Sequence, residues 1–377
     1  MADLSVNGPA AAVPAMPDEA GLTRAPRILF VPVSGPYGMG EYARSLAIAR
    51  AAGKHWPRAA IRFVLSRKAA YAADAPFPAT LLDSSPTFHS AAVIELLDHW
   101  RPDVVIFDNA GRTAQLRAAQ RLGARVVYIS ARRRQRRKAF RWRWMRLIDE
   151  HWIAYPEFIA GSLGFLEKLK LKIAGRPTVR YLDVILSRGE PAHRSSILLR
   201  SGCAAGTFVL VVPGGGTGHP GAHHAAAEFA AAARALAARG AATVYVGPYD
   251  AGGPNLHALG PLPQSDLAEL MRSARLIIAN GGSTLLQAIA CGRACVAVPI
   301  AKDQTERTRR CVAAGVAVAA ALNAASIVQA ADLLLQDEPL RTSLAARAAG
   351  LKLADGVELA VQALGDLIGT AQHAMPP

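Results

Sequence analysis

The chain has 377 residues, half of them hydrophobic, which is enough for two domains each burying its own core. No run reaches the roughly 18 consecutive apolar residues of a membrane span. The four cysteines, Cys203, Cys291, Cys295 and Cys311, form neither a disulfide framework nor a zinc-finger spacing, which fits reduced thiols in a cytoplasmic protein. The net charge of +15 is lopsided: residues 1–190 hold 29 Lys+Arg against 16 Asp+Glu, and the remainder 14 against 12, so the first half is expected to meet an anionic surface or partner.

Residues 1–26, rich in Ala, Pro and Gly, lack the basic start and apolar core of a signal peptide and read as a flexible tail. RILFVPVSG then reads as a buried strand entering a Gly-rich turn. IRFVLS, DVVIFD and RVVYIS follow as short apolar runs between helical segments, giving a first domain over 27–186. SRGEPAHRSSILLRSG is polar and punctuated by Gly and Pro, and marks a linker over 187–205. TFVLVVPGGGTG repeats the opening pattern, and TVYVG, RLIIA and CVAVPI continue it through a second domain, 206–377. Strands alternating with helices predict two Rossmann-like α/β domains with parallel sheets. Ligands of such sheets sit beyond the carboxyl ends of the strands, so the expected site is a cleft between the domains.

VPVSGPYGMGEYAR has the position of a dinucleotide loop, but its glycines at 35, 38 and 40 have the wrong spacing. The next strand also ends in Ser-Arg-Lys, without the acidic residue an NAD ribose requires, which leaves only a weak NADP reading. In ANGGSTLLQAIACG an apolar strand stops at Asn280 and a helix begins at once. Gly281 and Gly282 would let a diphosphate approach the backbone, with Ser283 and Thr284 adding hydroxyl donors. The alternative is that Thr284 and Gln287 form a capping box that needs no ligand. Asp303 and Gln304, at the end of the strand CVAVPI, suit recognition of sugar hydroxyls or simply open a helix.

NGGSTLLQAIACGRACVAVPIAKDQ, followed by a helix and the glycine of VAAGVAV, resembles the donor-binding signature of GT-B glycosyltransferases. It is most similar to that of the peptidoglycan N-acetylglucosaminyltransferase type and of the UDP-sugar hydrolase of pseudaminic acid synthesis. The resemblance implies a GT-B fold and a nucleotide-diphospho-sugar donor, UDP-linked, with no further cofactor and no bound metal. It places Asn280, Gly281, Gly282, Ser283 and Thr284 around the diphosphate and Asp303 with Gln304 on the donor sugar. Gln287 stands where those families carry a ribose-binding Glu. Leu262, in ALGPLPQSDLAELM, falls near the nucleobase, and Gly214, Gly215, Gly216 and Thr217 approach the phosphates from the other side.

GMGEYAR, beginning at Gly38 and including Gly40, resembles the glycine–histidine loop of the same families, with Glu41 where they carry His. A glutamate held within hydrogen-bond reach can take the acceptor's proton; the alternative is a residue that merely caps the helix. Asp108 and Asn109, which end DVVIFD, are further candidates at the cleft, and the loop residue His89 a weaker one. His219, His223 and His224 lack the acidic or thiol companions of a metal site.

ISARRRQRRKAFRWRWMRLIDEHW carries nine Lys or Arg and no acid between Arg132 and Arg146. Nucleic acid is disfavoured because no nucleic-acid module surrounds the run. A solvated basic face remains possible, as does docking to an anionic membrane. At helical spacing Phe140, Trp144, Ile148 and Trp152 would share one face flanked by arginines. Arg132, Arg133, Arg134, Arg136, Arg137, Trp142 and Trp144 are then the residues expected to meet a lipid-linked or otherwise anionic acceptor. The expectation is a cytoplasmic glycosyltransferase of cell-envelope glycan synthesis, peripheral on the inner face of the membrane. A nucleotide-sugar hydrolase and a non-catalytic nucleotide-sugar binding protein are the alternatives.

Overall fold

The structure, a computed structural model, describes residues 24–36, 39–186, 191–214, 222–248 and 252–374. Among these the first half contributes seven strands: β1 (Arg27–Pro32), β2 (Ala60–Ser66), β3 (Ala79–Leu82), β4 (Val104–Asp108), β5 (Arg125–Ser130), β6 (Glu150–Ile153) and β7 (Thr178–Tyr181). They form one parallel sheet in the order β3-β2-β1-β4-β5-β6-β7. Its helices are α1 (Gly40–His55), α2 (Ser90–Trp100), α3 (Thr113–Arg121), α4 (Arg133–Ala139), α5 (Trp142–Met145), α6 (Glu157–Ala160) and α7 (Phe165–Ala174).

The second half opens with α8 (Pro191–Ser201) and continues through β8 (Val209–Val212), α9 (Ala222–Ala238), β9 (Thr243–Val246), β10 (Leu256–Leu259) and α10 (Gln264–Ser273). It then runs through β11 (Leu276–Asn280), α11 (Ser283–Ala290), β12 (Cys295–Val298), α12 (Lys302–Ala313) and β13 (Val318–Ala319). Three helices end it: α13 (Ala324–Gln336), α14 (Glu338–Gly350) and α15 (Gly356–Ala374). Its strands pair in parallel in the order β10-β9-β8-β11-β12-β13. The chain is thus two Rossmann-like domains, and their apolar strands are covered on both faces as parallel sheets require.

Each sheet has one place where the strand order reverses, between β1 and β4 in the first and between β8 and β11 in the second. Crevices at such switch points are where open α/β sheets take ligands. The loops leaving these four strands carry Glu41, Asp108–Asn109, Gly214 and Asn280–Thr284. The topology therefore gathers the candidate residues at two sites, one per domain.

Three features differ from the sequence reading. Residues 191–201, within the expected linker, form α8, which packs on α10 and buries Ile197 in the second core. The last helix, α15, leaves the second domain and packs on α1, seating Val361, Leu364 and Ile368 in the first core. The return strand is tied to the outgoing one: Val184 bridges Asp355, and the Gly356 amide donates to the Val184 carbonyl at 2.8 Å. Finally, the basic run is not one amphipathic helix. It breaks into α4 and α5, and Trp152 lies on β6, so Phe140, Trp144, Ile148 and Trp152 are all buried and offer no membrane face. All four cysteines are free.

Candidate functional site

In the first domain α1 begins immediately after the β1 loop, with Glu41 in its first turn. Asn109 follows β4 in a left-handed conformation (φ 52°), which Asn tolerates better than most residues. Its Oδ1 accepts from the Ala131 amide at 2.9 Å, and its Nδ2 donates to Glu41 Oε1 at 2.8 Å. Glu41 stays partly exposed, with the Arg132 guanidinium 4.0 Å away. Gly40 has open space around it, and Gly38 lies outside the described residues.

Asp108 cannot be the base that the sequence also allowed. It is fully buried and clamped by Arg44, with Nη2 2.6 Å from Oδ1 and Nε 2.8 Å from Oδ2. Burial pushes its carboxyl up to about 6, against the lowering effect of Arg44, and pairing with Asp108 keeps the buried Arg44 charged. This pair is scaffolding beneath the site. His89 is likewise local, its Nε2 2.8 Å from Ser84 Oγ.

The basic run divides by role. Arg136 turns inward, donating to the carbonyls of Ala160, Gly161 and Ser162 and pairing with Glu167 at 2.6 Å, so it anchors the start of α7 and does not face an acceptor. Trp144 is buried and donates to Thr113 Oγ1 at 3.1 Å, with Lys138 Nζ 3.9 Å from its ring centre. Arg132, Arg133, Arg134, Arg137 and Trp142 remain exposed.

In the second domain the buried Asn280 stitches two loops together. Its Nδ2 donates to the Pro213 carbonyl at 2.6 Å, and its Oδ1 accepts from the Gly282 amide at 2.8 Å. Gly214 (φ +88°) lies directly over it, and a side chain there would collide with Asn280 Nδ2. Gly281 is just as constrained: a Cβ would come within 2.5 Å of Thr308 Oγ1 and 3.1 Å of Gln304 Cβ. Gly281 thus lets the turn lie flat on α12, and Gly214 lets the loop after β8 close over Asn280. Gly215, Gly216, Thr217 and His219 lie outside the described residues, as does the side chain of His223.

The capping-box alternative is not what forms. Gly282 is the N-cap of α11 and no side chain caps it. Gln287 turns away, donating to the Ile185 carbonyl of the first crossing and to Gln264 Oε1, each at 3.0 Å. The first amides of α11 are left as a positively polarised end beside Ser283 and the buried Thr284. The Gln264 contact joins Gln287 to the start of α10, just beyond the half-buried Leu262. Gln304 accepts from the Ile300 amide at 3.0 Å, while Asp303 is exposed and 3.7 Å from Arg307.

Arg307 and Tyr155 were not singled out in the sequence. Arg307 is buried, donates to the Gly281 carbonyl at 2.8 Å, and stacks on the Tyr155 ring of the first domain at 4.6 Å. Arg307 thus joins the turn at Gly281 in the second domain to Tyr155 in the first. The Asp303 to Arg307 spacing of one helical turn was the only hint in the sequence; nothing marked Tyr155.

No protein-family model and no curated protein matches the chain. Solved structures do match over nearly its whole length. CalG4, the calicheamicin glycosyltransferase, has a TM-score of 0.63 at 18% identity, over 92% of this chain and 99% of that one. MurG of Acinetobacter baumannii has 0.59 at 16%, over 92% and 100%. A putative UDP-N-acetylglucosamine 2-epimerase from Listeria monocytogenes has 0.55 at 16%, over 91% and 95%. At such identities the likeness is one of architecture: the chain has the GT-B fold.

Proposed function

We propose that this protein is a glycosyltransferase that moves a sugar from a UDP-linked donor to an acceptor hydroxyl. The observation that carries the reading is that Arg307 ties the Gly281 carbonyl, beside the uncapped start of α11, to Tyr155 of the first domain, whose own switch point carries the Glu41 carboxylate. A transferase needs these two elements together. The acceptor oxygen attacks the anomeric carbon as Glu41 takes its proton, and the bond from that carbon to the diphosphate oxygen breaks. The departing diphosphate gathers charge where the amides of Ser283 and Thr284 and the α11 dipole are already oriented. Gln287 keeps an oxygen for a ribose hydroxyl while its amide holds the domain crossing, and Asp303 with Gln304 faces the sugar. UDP is chosen because the epimerase of the same fold is named for a UDP-sugar. The acceptor is read as anionic, and lipid-linked, from the exposed arginines of the 132–137 segment beside Glu41.

The test is UDP release from a panel of UDP-hexoses, with and without a membrane lipid extract as acceptor source. Release that requires the extract supports transfer. Release at the same rate without it supports the hydrolase alternative, which the partly exposed Glu41 also permits, with water as the acceptor. No release in either condition contradicts both.

A further inference from the structure

We infer that α7 is a membrane-docking element whose occupant is the surface of an anionic bilayer. The docking does not depend on the transfer reading. This helix contributes no residue to either core, and four of its apolar side chains face solvent: Phe165 at 79% exposure, Leu166 at 68%, Leu169 at 41% and Ile173 at 65%. On a helical projection they fill one stripe about 100° wide. Lys168 and Lys172 border it on one side and Lys170 on the other. The single acid of the helix, Glu167, lies on the opposite side, neutralised by Arg136 at 2.6 Å. The exposed face is therefore apolar in the middle and purely cationic at its edges.

The neighbouring surface extends the pattern. Lys170 donates to the Phe140 carbonyl at 3.1 Å and sits 5.8 Å from the centre of the Trp142 ring, which is 43% exposed. Beyond Trp142 lie the exposed arginines of the 132–143 segment. An acidic protein would match the lysines, but it would need its own groove for a convex apolar stripe. A bilayer with anionic headgroups satisfies both parts at once: acyl chains receive the stripe and headgroups meet the cations. The sequence also pointed to a membrane, and of the residues it named Arg132, Arg133, Arg134, Arg137 and Trp142 are exposed. The face it assembled from Phe140 to Trp152 is interior, and the surface that fits is the next helix along the chain.

The experiment is co-sedimentation of the full chain with vesicles of phosphatidylcholine alone and of phosphatidylcholine with phosphatidylglycerol at low salt. Binding is expected only to the anionic vesicles. Phe165→Gln/Ile173→Gln should lower the partition coefficient at least about tenfold, since each side chain gives up an apolar insertion. Lys168→Gln/Lys172→Gln should lower it by about fivefold per lysine. All four positions are exposed, so the variants should keep the wild-type melting curve. No binding to anionic vesicles would overturn the inference, as would binding unchanged in the Phe165/Ile173 variant. So would a concentration-dependent dimer, abolished by that variant, in place of vesicle binding, because a second copy of the chain would then own the face.

Discussion

Asn109 Nδ2 donates to Glu41 Oε1 at 2.8 Å across 68 positions of sequence, and the same asparagine is held by the Ala131 amide. One carboxylate oxygen of Glu41 is thereby fixed while the side chain stays partly exposed, and the proposed reaction asks it to act as general base. Glu41→Gln keeps the hydrogen bond and removes the base. It should lower the rate of acceptor-dependent UDP release by roughly 10²–10⁴-fold, with UDP affinity unchanged. Asn109→Ala should slow the same reaction while leaving Glu41 in place. A Glu41→Gln protein of wild-type rate would remove Glu41 from the chemistry.

Arg44 and Asp108 should behave in the opposite way. Both are buried, and removing one charge strands the other. Asp108→Ala is expected to cost about 3–5 kcal/mol of folding stability, read from urea denaturation. Glu41→Gln, in a partly exposed first turn, should cost little. Equal losses in the two variants would contradict the separation of scaffold from base.

Acid should destabilise the first domain through His151. Burial pushes its imidazole down to about 3 from an ordinary 6.5, with Arg136 adding to the effect, and its Nε2 is 2.8 Å from Ser130 Oγ. Below pH 6.5 the unfolded chain takes up a proton that the folded chain refuses. Stability contributed by His151 therefore falls as pH drops from about 6.5 toward 3, by at most about 1.4 kcal/mol per unit. Asp108 acts in the reverse direction between 3.8 and about 6, because its folded carboxyl holds a proton that the unfolded one releases. Comparing His151→Gln with the wild type isolates the histidine. Urea midpoints measured at pH 7 and pH 5 should fall less in the variant, and parallel losses would contradict the assignment.

Gly281→Ala tests the donor turn without touching a polar group. The new methyl would press on Thr308 Oγ1 and Gln304, an overpacking of about 1–3 kcal/mol, and lift the turn from α12. Nucleotide affinity should fall with it. Thr308→Ala has no lost partner, since that hydroxyl is buried without one among the described residues, and should relieve the clash in the double variant.

Much of the architecture was legible because parallel strands buried on both faces appear as short continuous apolar runs, as in DVVIFD and RLIIAN. The turn from Asn280 to Thr284 was legible because a strand, two glycines and a helix start are adjacent in sequence. Contacts between distant segments left no such trace. Gln287 reads as half of a capping box until Ile185 is seen beside it, and Asp108 reads as a free carboxylate until Arg44 closes on it. The aromatic spacing from Phe140 to Trp152 fits a helix, but a turn and a strand intervene and the rings go inward. Periodicity cannot say which side of a segment the core will occupy. For the same reason α15, which reads as an ordinary last helix of the second domain, gave no sign of returning to the first.

The most direct measurement is calorimetric titration of the full chain with UDP, GDP, dTDP and NADP, repeated for the best ligand with Thr284→Ala. The donor turn predicts that UDP binds, that NADP does not, and that Thr284→Ala weakens UDP on the order of tenfold, as loss of one hydrogen bond to a charged group would. If no nucleoside diphosphate binds, the glycines at 281 and 282 serve only to seat the turn on α12, and the glycosyltransferase reading fails.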